Sequence, residues 1–398
     1  MDITITPSAL CGDITVIPSK SQAHRLLICS AFADTVTTLY CPSTNQDIEA
    51  TADCLRAIGA KITRTDDGYS VTPISQIPVT TTLPCKESGS TLRFMLPIIG
   101  ALGVDATFVL EGRLPQRPLT PLWEEMERMG CRLTRPTEST IRCQGKLSSG
   151  VYTVDGGVSS QFITGLLYAT ALMEGYSRLL LTGTIQSLPY IQMTQQALEV
   201  FGVRTDDFNI RGNYPFTSPK TVHVEGDWSN GAFWLAANAL GSQLSVLGLN
   251  KNSLQGDKAC ASILKNIQNI DTIDAADIPD LVPILAVVAG NKKKLTFTNI
   301  QRLRLKESDR VASAAAMLEN LGASVHVTES EMTVFPAAYH SCTIDAVGDH
   351  RIAMAGAIAA TAADGAVTIL GAQCVSKSYP AFWDEYKRLG GKYEQYIR

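Results

Sequence analysis

One short phrase recurs along this chain: an apolar residue, two variable residues, a second apolar residue and a glycine. Five copies end at Gly59, Gly130, Gly202, Gly322 and Gly390. Because glycine commonly follows the last turn of a helix, each copy predicts a helix C-terminus. Neighbouring copies lie about 70 residues apart, except across one gap of about 120 residues. A sixth copy without its glycine, Leu264-Lys-Asn-Ile-Gln268, divides that gap. The spacing predicts six repeated units, of which the fourth has lost a strand.

Each unit is predicted to contain both helices and strands. Alternating segments with a turn signal, such as residues 62–71 and 325–334, follow most of the glycines and predict hairpins. Short strands lie between two helices in several units. The implied order is strand, helix, strand, helix, hairpin, which defines an α/β chain. Three such units make one domain of ordinary size, so the six units predict two pseudo-threefold domains that join near residues 226–227.

Composition excludes several classes of protein. The longest apolar run, residues 281–289, is interrupted by Pro283 and is too short to cross a bilayer. The N-terminus alternates like a strand and has no signal-peptide pattern. These features predict a soluble, cytoplasmic protein.

Composition and charge also limit the kinds of ligand that the chain is expected to bind. The ten cysteines form no Cys-x-x-Cys pair, and none of the five histidines has metal-ligand spacing, so we expect reduced thiols and no metal. The net charge of −4 gives no general attraction to nucleic acid. A local cluster of basic residues would therefore bind a small anion.

The first helix of every unit is predicted to open with short polar residues. These starts are Ser19-Lys20-Ser21, residues 87–91, Ser159-Ser160-Gln161, residues 229–231, residues 277–280 and residues 348–351. Taken singly, each is an ordinary helix cap. Pseudo-threefold symmetry would bring the positive ends of equivalent helices together and create anion sites. The basic residues cluster at the same elements: Lys20, Arg25, Arg93, Arg117, Lys306, Arg310, Arg351 and Lys377.

The segment Lys306-Glu-Ser-Asp-Arg310 places four charges in five residues before an apolar helical pattern. Ser308 is predicted to cap that helix, and the flanking cations suit a phosphate group. Glu307 would lie beside the anion as a proton donor or acceptor, and Asp280 is a second carboxylate in a basic field. A capped surface helix remains an alternative for this segment, as an ordinary helix-start residue does for Asp280. Gln161, Ser187 and Tyr190 offer groups for a hydroxylated ligand.

Eight motifs, taken in order, resemble those of the 3-phosphoshikimate 1-carboxyvinyltransferase family, also called 5-enolpyruvylshikimate-3-phosphate synthases. They are Pro18-Ser-Lys-Ser-Gln-Ala-His-Arg25, Glu87-Ser-Gly-Ser-Thr-Leu-Arg93, Gln116-Arg-Pro118, Asp155-Gly-Gly-Val-Ser-Ser-Gln161, Ile278-Pro-Asp280, Leu305-Lys-Glu-Ser-Asp-Arg310, Gly348-Asp-His-Arg351 and Ser376-Lys377. The resemblance implies two inside-out α/β domains, each of three βαβαββ-type repeats. The domains are expected at 19–226, mainly the shikimate 3-phosphate side, and at 227–398 plus 1–18, which completes the phosphoenolpyruvate site.

The resemblance also implies the reaction and its residues. A cytoplasmic monomer would transfer the enolpyruvyl group of phosphoenolpyruvate to the 5-hydroxyl of shikimate 3-phosphate, without a cofactor. The implied phosphoenolpyruvate ligands are Lys20, Gly89, Arg117, Gln161, Arg310, Arg351 and Lys377. The implied shikimate 3-phosphate ligands are Lys20, Ser21, Arg25, Ser159, Ser160, Gln161, Ser187, Tyr190, Asp280 and Lys306. Asp280, Glu307 and Lys20 would transfer protons.

Two residues depart from the family pattern. Glu87 and Arg302 stand where asparagine is common. Glu87 would place a carboxylate near the phosphoenolpyruvate pocket, where a neighbouring arginine could pair with it. Neither residue is included among the expected ligands.

Two other functions compete with this interpretation. UDP-N-acetylglucosamine enolpyruvyl transferases resemble the chain in repeat and reaction, but they begin the site with Lys-Asn and carry a cysteine before the arginine that corresponds to Arg117. Here Ser21 follows Lys20, and residues 111–116 contain no cysteine. A non-catalytic binder of phosphorylated metabolites is disfavoured by the joint presence of Asp280, Glu307 and Lys20. A nucleic-acid or membrane partner is not expected.

Overall fold

The computed structural model describes residues 1–396 and divides the chain into two compact units. The contiguous unit is Pro18–Val224. The discontinuous unit combines Met1–Ile17 with the chain from Glu225 onward. The assignment of one substrate mainly to each domain stays a prediction.

The strands are β1 (Asp2–Thr6), β2 (Cys11–Thr15), β3 (Thr37–Tyr40), β4 (Lys61–Thr65), β5 (Gly68–Thr72), β6 (Thr80–Lys86), β7 (Asp105–Leu110), β8 (Cys131–Thr137), β9 (Thr140–Gly145), β10 (Val151–Asp155), β11 (Tyr176–Thr182), β12 (Asn209–Arg211), β13 (Thr221–His223), β14 (Gln243–Leu247), β15 (Thr272–Asp274), β16 (Leu295–Thr298), β17 (Ser324–Val327), β18 (Glu331–Phe335), β19 (Cys342–Asp345), β20 (Val367–Leu370) and β21 (Lys392–Tyr396). The α-helices are α1 (Lys20–Ala31), α2 (Gln46–Ala57), α3 (Gly89–Leu102), α4 (Leu122–Arg128), α5 (Ser160–Leu172), α6 (Leu188–Val200), α7 (Trp228–Ala239), α8 (Ala259–Asn266), α9 (Val282–Lys292), α10 (Arg310–Asn320), α11 (His350–Ala360) and α12 (Phe382–Arg388). Short 3-10 turns occupy Leu114–Gln116, Gly256–Lys258, Ile267–Asn269, Gln301–Leu305 and Ala372–Lys377.

The glycines of the repeated phrase lie just beyond helix ends, as the sequence predicts. Helices α2, α4, α6, α10 and α12 each stop shortly before one of them. All five glycines have a positive φ, between 81° and 114°. A residue with a side chain rarely adopts that conformation, which explains why glycine recurs there. The copy without glycine ends α8, and the chain continues into a 3-10 turn.

The repeats build their sheets on one plan. In the second repeat the strand order is β6-β7-β9-β8, with β6 and β7 parallel and the hairpin β8–β9 antiparallel. The fifth repeat has the equivalent order β15-β16-β18-β17. In the first repeat, β13 from the end of the contiguous unit returns to complete the order β13-β3-β5-β4. These sheets confirm the predicted βαβαββ unit.

Two repeats have sheets with fewer than four strands. The third sheet contains only β10-β11-β12, and the fourth contains only β14 paired with β2. The prediction that the fourth unit lost one strand was therefore wrong in extent, because both hairpin strands are missing. The spacing of helix ends detects a shorter unit but does not identify which strands were removed.

The first helix of each repeat is buried among its neighbours. In α3 nearly every residue from Gly89 to Ala101 is buried, and in α9 every residue from Val282 to Gly290 is buried. A helix that is apolar on all sides belongs in a core rather than on a surface. Helices therefore form the interior of each unit and sheets lie outside them, the inside-out arrangement expected from the sequence. Within the described part of the chain, no helix has the length and hydropathy that a bilayer crossing requires.

Candidate active site

In the contiguous unit, the start of α1 presents Lys20 beside a carboxylate of α2. Ser19 caps α1 by accepting a hydrogen bond from the backbone N–H of Gln22. The Lys20 Nζ lies 2.8 Å from Oδ2 of Asp47, and both side chains are largely buried. Asp47 therefore positions the ammonium group. The sequence alone did not indicate Asp47, because nothing in the local pattern separates it from other acidic residues in a first helical turn.

One turn further along α1, Arg25 joins the start of α1 to α6. Its Nη1 donates to the carbonyl oxygen of Ser21 at 2.6 Å, and its Nη2 donates to that of Tyr190 at 2.8 Å. Its Nε donates to the hydroxyl of Thr194 at 2.9 Å. Three of the residues expected around shikimate 3-phosphate, Ser21, Arg25 and Tyr190, are thus brought together.

The starts of α3 and α5 meet around Gly89. A Cβ atom on Gly89 would lie 2.7 Å from Nη1 of Arg117 and 2.8 Å from Nη1 of Arg93, so only glycine leaves room for both guanidinium groups. Arg93 donates to Oε1 of Gln161 at 2.9 Å, and Nε2 of Gln161 donates to the hydroxyl of Ser90 at 2.8 Å. The structure therefore gathers Gly89, Arg117 and Gln161. From the sequence, Arg93 was predicted only as one of the basic residues that cluster at these elements.

The remaining polar residues of this unit occupy helix starts. Ser159 caps α5 and accepts a hydrogen bond from the backbone N–H of Gln161. Ser160 is buried in the first turn of α5. Ser187 precedes α6, is buried, and has a left-handed backbone with φ of 57°. Such a conformation in a residue other than glycine is uncommon outside turns and functional sites.

In the discontinuous unit, Asp280 is surrounded by cations. Its Oδ1 lies 2.7 Å from Nη1 of Arg310 and 3.3 Å from Nζ of Lys306, and its Oδ2 lies 3.0 Å from Nη2 of Arg351. Asp280 was predicted to open a helix, but α9 begins at Val282. The carboxylate lies in the turn before the helix and contacts the three cations from there.

The charges around Asp280 fix its protonation. Burial alone would raise the pKa of this carboxyl, but Arg351, Lys306 and Arg310 outweigh that effect and hold the pKa well below its ordinary range. Burial lowers the pKa of Lys306 to about 8, which the nearby Asp280 only partly offsets. The site therefore holds an ionised carboxylate beside an ammonium group that can lose its proton near neutral pH.

Arg310 is the hub of this cluster, with only 1% of its side chain exposed. Besides Asp280, it binds Oε2 of Glu307 at 2.7 Å and Oδ2 of Asp349 at 3.0 Å. Ser308 was predicted to cap this helix, but the cap of α10 is Asp309, which accepts from the backbone N–H of Ala312. The sequence Ser-Asp offers two capping residues, and α10 begins one residue later than predicted because Ser308 donates its hydroxyl to Asp349 instead.

Lys377 is buried at the end of a 3-10 turn that packs against α11, the helix that carries Arg351. In the part of the chain that the structure describes, no group of three or more His, Cys, Asp or Glu side chains is arranged to hold a metal ion.

The two departures from the family pattern both lie near site residues. A Cβ on Gly112 would come within 2.8 Å of both carboxylate oxygens of Glu87, so Glu87 lies against the loop that leads from β7 to Arg117. Arg302 lies in the 3-10 turn before Lys306. Burial lowers the pKa of Arg302, and the charge of Asp280 acts in the opposite direction, so Arg302 adds a fourth cation to the surroundings of Asp280.

Comparison with solved structures identifies the fold. An EPSP synthase from Acinetobacter baumannii superposes with a TM-score of 0.81 at 21% identity, covering 99% of this chain and 100% of that one. The enolpyruvyl transferase NikO from Streptomyces tendae superposes with a TM-score of 0.76 at 14% identity, covering 99% and 98% of the two chains. The fold is that of the enolpyruvyl transferases.

Sequence comparison narrows the class. Residues 5–386 match the family model for EPSP synthase (3-phosphoshikimate 1-carboxyvinyltransferase). The 3-phosphoshikimate 1-carboxyvinyltransferase of Clostridium kluyveri is 36% identical over 422 residues, covering 99% of this chain and 98% of that protein. The one from Clostridium beijerinckii is 34% identical over 430 residues, covering 99% of each. The chain belongs to the EPSP synthase family, whose enzymes transfer the enolpyruvyl group of phosphoenolpyruvate to shikimate 3-phosphate in aromatic biosynthesis.

Proposed function

We propose that the residues gathered at the helix starts carry out this enolpyruvyl transfer. The observation that carries the proposal is the Asp280 cluster. One ionised carboxylate contacts Lys306, Arg310 and Arg351, and a second carboxylate, Glu307, contacts the same Arg310. Paired acids among several cations suit proton transfer to and from anionic substrates.

The ligands follow from the charges of the two substrates. Both carry phosphate, and phosphoenolpyruvate also carries a carboxylate, so each requires cations and hydrogen-bond donors. Phosphoenolpyruvate is assigned to Lys20, Gly89, Arg117, Gln161, Arg310, Arg351 and Lys377. Shikimate 3-phosphate is assigned to Lys20, Ser21, Arg25, Ser159, Ser160, Gln161, Ser187, Tyr190, Asp280 and Lys306. Gly89 supports this assignment because a side chain there would occupy the space of the Arg117 guanidinium.

The reaction needs two proton movements besides the bond changes. The 5-hydroxyl of shikimate 3-phosphate attacks C2 of phosphoenolpyruvate, and Asp280 takes its proton while C3 receives one. The phosphate then leaves from C2 as C3 returns a proton, which restores the double bond in the product. Glu307 and Lys20 exchange those protons with C3. Positive charge that develops at C2 is stabilised by the nearby carboxylates. No step changes an oxidation state, so the proposal includes no cofactor.

The test is phosphate release from phosphoenolpyruvate. Phosphate should appear only when shikimate 3-phosphate is present, and the organic product should gain one enolpyruvyl group by mass. UDP-N-acetylglucosamine serves as the competing acceptor. Turnover with that acceptor alone would overturn the assignment, and binding of shikimate 3-phosphate without turnover would favour the non-catalytic binder.

We further propose that the enzyme acts as a cytoplasmic monomer on its two small substrates. Light scattering coupled to size exclusion should give the mass of one chain, about 43 kDa from the sequence mass of 42.9 kDa. A larger mass that persists on dilution would reject the monomer.

A further inference from the structure

Asp349 is a buried carboxylate that uses both of its oxygens on the Arg310 cluster. Its Oδ2 accepts from Nε of Arg310 at 3.0 Å and from the hydroxyl of Ser308 at 3.1 Å. Its Oδ1 accepts from Nη2 of Arg310 at 3.3 Å and from the backbone N–H of Arg351 at 2.9 Å. Asp349 therefore accepts hydrogen bonds from two nitrogens of the Arg310 guanidinium. It also caps α11, the helix that carries Arg351.

The three carboxylates on Arg310 differ in exposure. The Asp349 side chain is fully buried, whereas 26% of Asp280 and 14% of Glu307 remain exposed. Asp349 also accepts a hydrogen bond from the backbone N–H of Arg351 at the start of α11. An arriving anion can therefore replace Asp280 and Glu307 on Arg310, but exchange of Asp349 would leave a buried carboxylate and a helix start without partners.

We propose that Asp349 is a positioning residue for enolpyruvyl transfer. It holds Arg310 and the backbone of Arg351 as one fixed anion-binding unit, so that a substrate anion displaces Asp280 and Glu307 from Arg310. The two displaced carboxylates are then released for proton transfer. This inference rests on the proposed function, because it takes Arg310 and Arg351 as ligands of phosphoenolpyruvate.

The charge of Asp349 is as important as its shape. Burial would raise the pKa of this carboxyl, but the charge of Arg310 outweighs burial and keeps Asp349 ionised. Without that charge, the carboxylates left in contact with Arg310 in the described chain would be Asp280 and Glu307. Both would be held more tightly, and phosphoenolpyruvate would compete with them less well.

The test compares Asp349→Asn with a matched variant, Asp309→Asn. Asp309 caps the neighbouring helix α10 and pairs with Arg304, and its side chain is more exposed. Asp349→Asn retains an acceptor for the helix start but removes the charge. It should raise KM for phosphoenolpyruvate about 10- to 100-fold, by analogy with the loss when a residue that orients a metal ligand is removed. KM for shikimate 3-phosphate should change little, whereas the unfolding temperature should fall, because the substitution removes one partner of a buried ion pair. Asp309→Asn should leave both KM values unchanged.

Two further variants separate charge from capping. Asp349→Ala removes the cap as well, so it should lower the unfolding temperature further than Asp349→Asn, in addition to raising KM. Ser308→Ala removes one hydrogen bond from the Asp349 carboxylate and retains the charge, so KM for phosphoenolpyruvate should rise by a few-fold only. Ser308→Ala also tests the proposal if Asp349→Asn does not fold. Unchanged KM in every variant that folds would mean that Asp349 is only a structural cap, and would overturn the proposal.

Arg310→Lys and Arg351→Lys distinguish this failure from failure of the proposed function. If both lysine variants raise KM for phosphoenolpyruvate but Asp349→Asn does not, the positioning role is rejected and the ligand assignment stands. If the lysine variants leave that KM unchanged, the ligand assignment fails, and the inference about Asp349 fails with it.

Discussion

At the scale of single residues, the ionisation of Asp280 presents a chemical problem. Three cations hold this carboxylate, and their charges keep its pKa well below the ordinary range. A carboxylate so strongly stabilised is a poor base. In the proposed mechanism it becomes a better base when a substrate phosphate or carboxylate takes over one of the cations, because that anion removes part of the stabilisation. In that mechanism, substrate binding and proton acceptance are linked through Lys306, Arg310 and Arg351.

Replacement of Asp280 by asparagine should separate binding from turnover. The asparagine retains the size of the side chain but does not accept the hydroxyl proton, so kcat should fall by about 10²- to 10⁴-fold, the usual contribution of a general base. Binding of shikimate 3-phosphate, followed by calorimetry, should remain measurable. The control is Asp271→Asn, which removes an exposed carboxylate paired with Lys293 in the same unit. Unchanged kcat in Asp280→Asn would remove Asp280 from the mechanism.

Lys306 predicts how substrate affinity depends on pH. Its pKa of about 8 means that the ammonium charge is present below pH 8 and is lost as pH rises further. An anionic ligand that depends on this charge binds less well in the alkaline range, so KM for shikimate 3-phosphate should rise above pH 8. Lys306→Arg should keep its charge and flatten that rise. If wild type and Lys306→Arg show the same alkaline profile, another group is responsible.

At the scale of elements, the site depends on how closely helix starts approach one another. Helices α3 and α5 cross where Gly165 faces the backbone of Arg93, and the start of α3 places Gly89 against the guanidinium groups of Arg93 and Arg117. The same helix pair thus uses one glycine for packing and another for access to the arginines. Substitution at the two positions should have different effects.

Gly89→Ala should damage function and leave the fold intact. The added Cβ would lie 2.7 Å from Nη1 of Arg117. A guanidinium at the end of a flexible side chain can move away at low cost to stability, but it then leaves the position from which it is proposed to bind phosphoenolpyruvate. KM for phosphoenolpyruvate should rise about tenfold or more, and the unfolding midpoint in urea should stay near that of the wild type. An unchanged KM would show that Arg117 does not need its observed position.

Gly165→Ala should instead destabilise the fold. Its Cβ would lie 2.2 Å from the carbonyl oxygen of Arg93, and backbone inside a helix cannot move aside cheaply. The free energy of unfolding should fall by about 1–3 kcal/mol or more, as in other overpacked cores. Urea unfolding of Gly165→Ala beside Gly89→Ala measures the contrast. Equal stability of the two variants would contradict the close packing of α3 and α5.

The sequence predicted the elements better than the partners of individual side chains. The repeated phrase located helix ends correctly because glycine has a strong local preference for that backbone conformation. Asp47, Arg93 and Asp349 were missed as site residues, since each acts through a contact with a distant part of the chain: Asp47 with Lys20, Arg93 with Gln161, and Asp349 with Arg310. Such pairs depend on tertiary packing, which leaves no trace in the local pattern. The ligand roles carried over from the family resemblance stay predictions.

At the scale of the whole molecule, the two units differ in how the chain builds them. The contiguous unit uses one uninterrupted segment. The discontinuous unit takes β1 from the N-terminus and inserts it between β20 and β21. Ile3 and Ile5 of β1 are fully buried there. Without β1, β21 would lose the strand it pairs with, β20 would lose one of its two partners, and an apolar surface would be exposed. These losses are costly in both hydrogen bonding and burial.

This difference predicts which fragments fold. A fragment of residues 18–224 contains all of its strands and a core of its own, so it should fold alone and unfold cooperatively in urea. A fragment of residues 225–398 should not fold alone, because β1 and β2 are absent. Residues 1–17 joined after residue 398 by a short glycine-rich linker should restore it. Strand β1 runs antiparallel to β21 and Asp2 pairs with Tyr396, so a short turn suffices to connect them.

Circular dichroism and urea unfolding of the three fragments measure this prediction. The control is the rejoined fragment with Ile3→Asp and Ile5→Asp, which supplies the same length of chain but places charges in the core, and it should remain unfolded. Cooperative unfolding of 225–398 without residues 1–17 would contradict the argument, because it would mean that the last sheet closes without β1. Restoration by the aspartate variant would show that added length, rather than the buried strand, stabilises the unit.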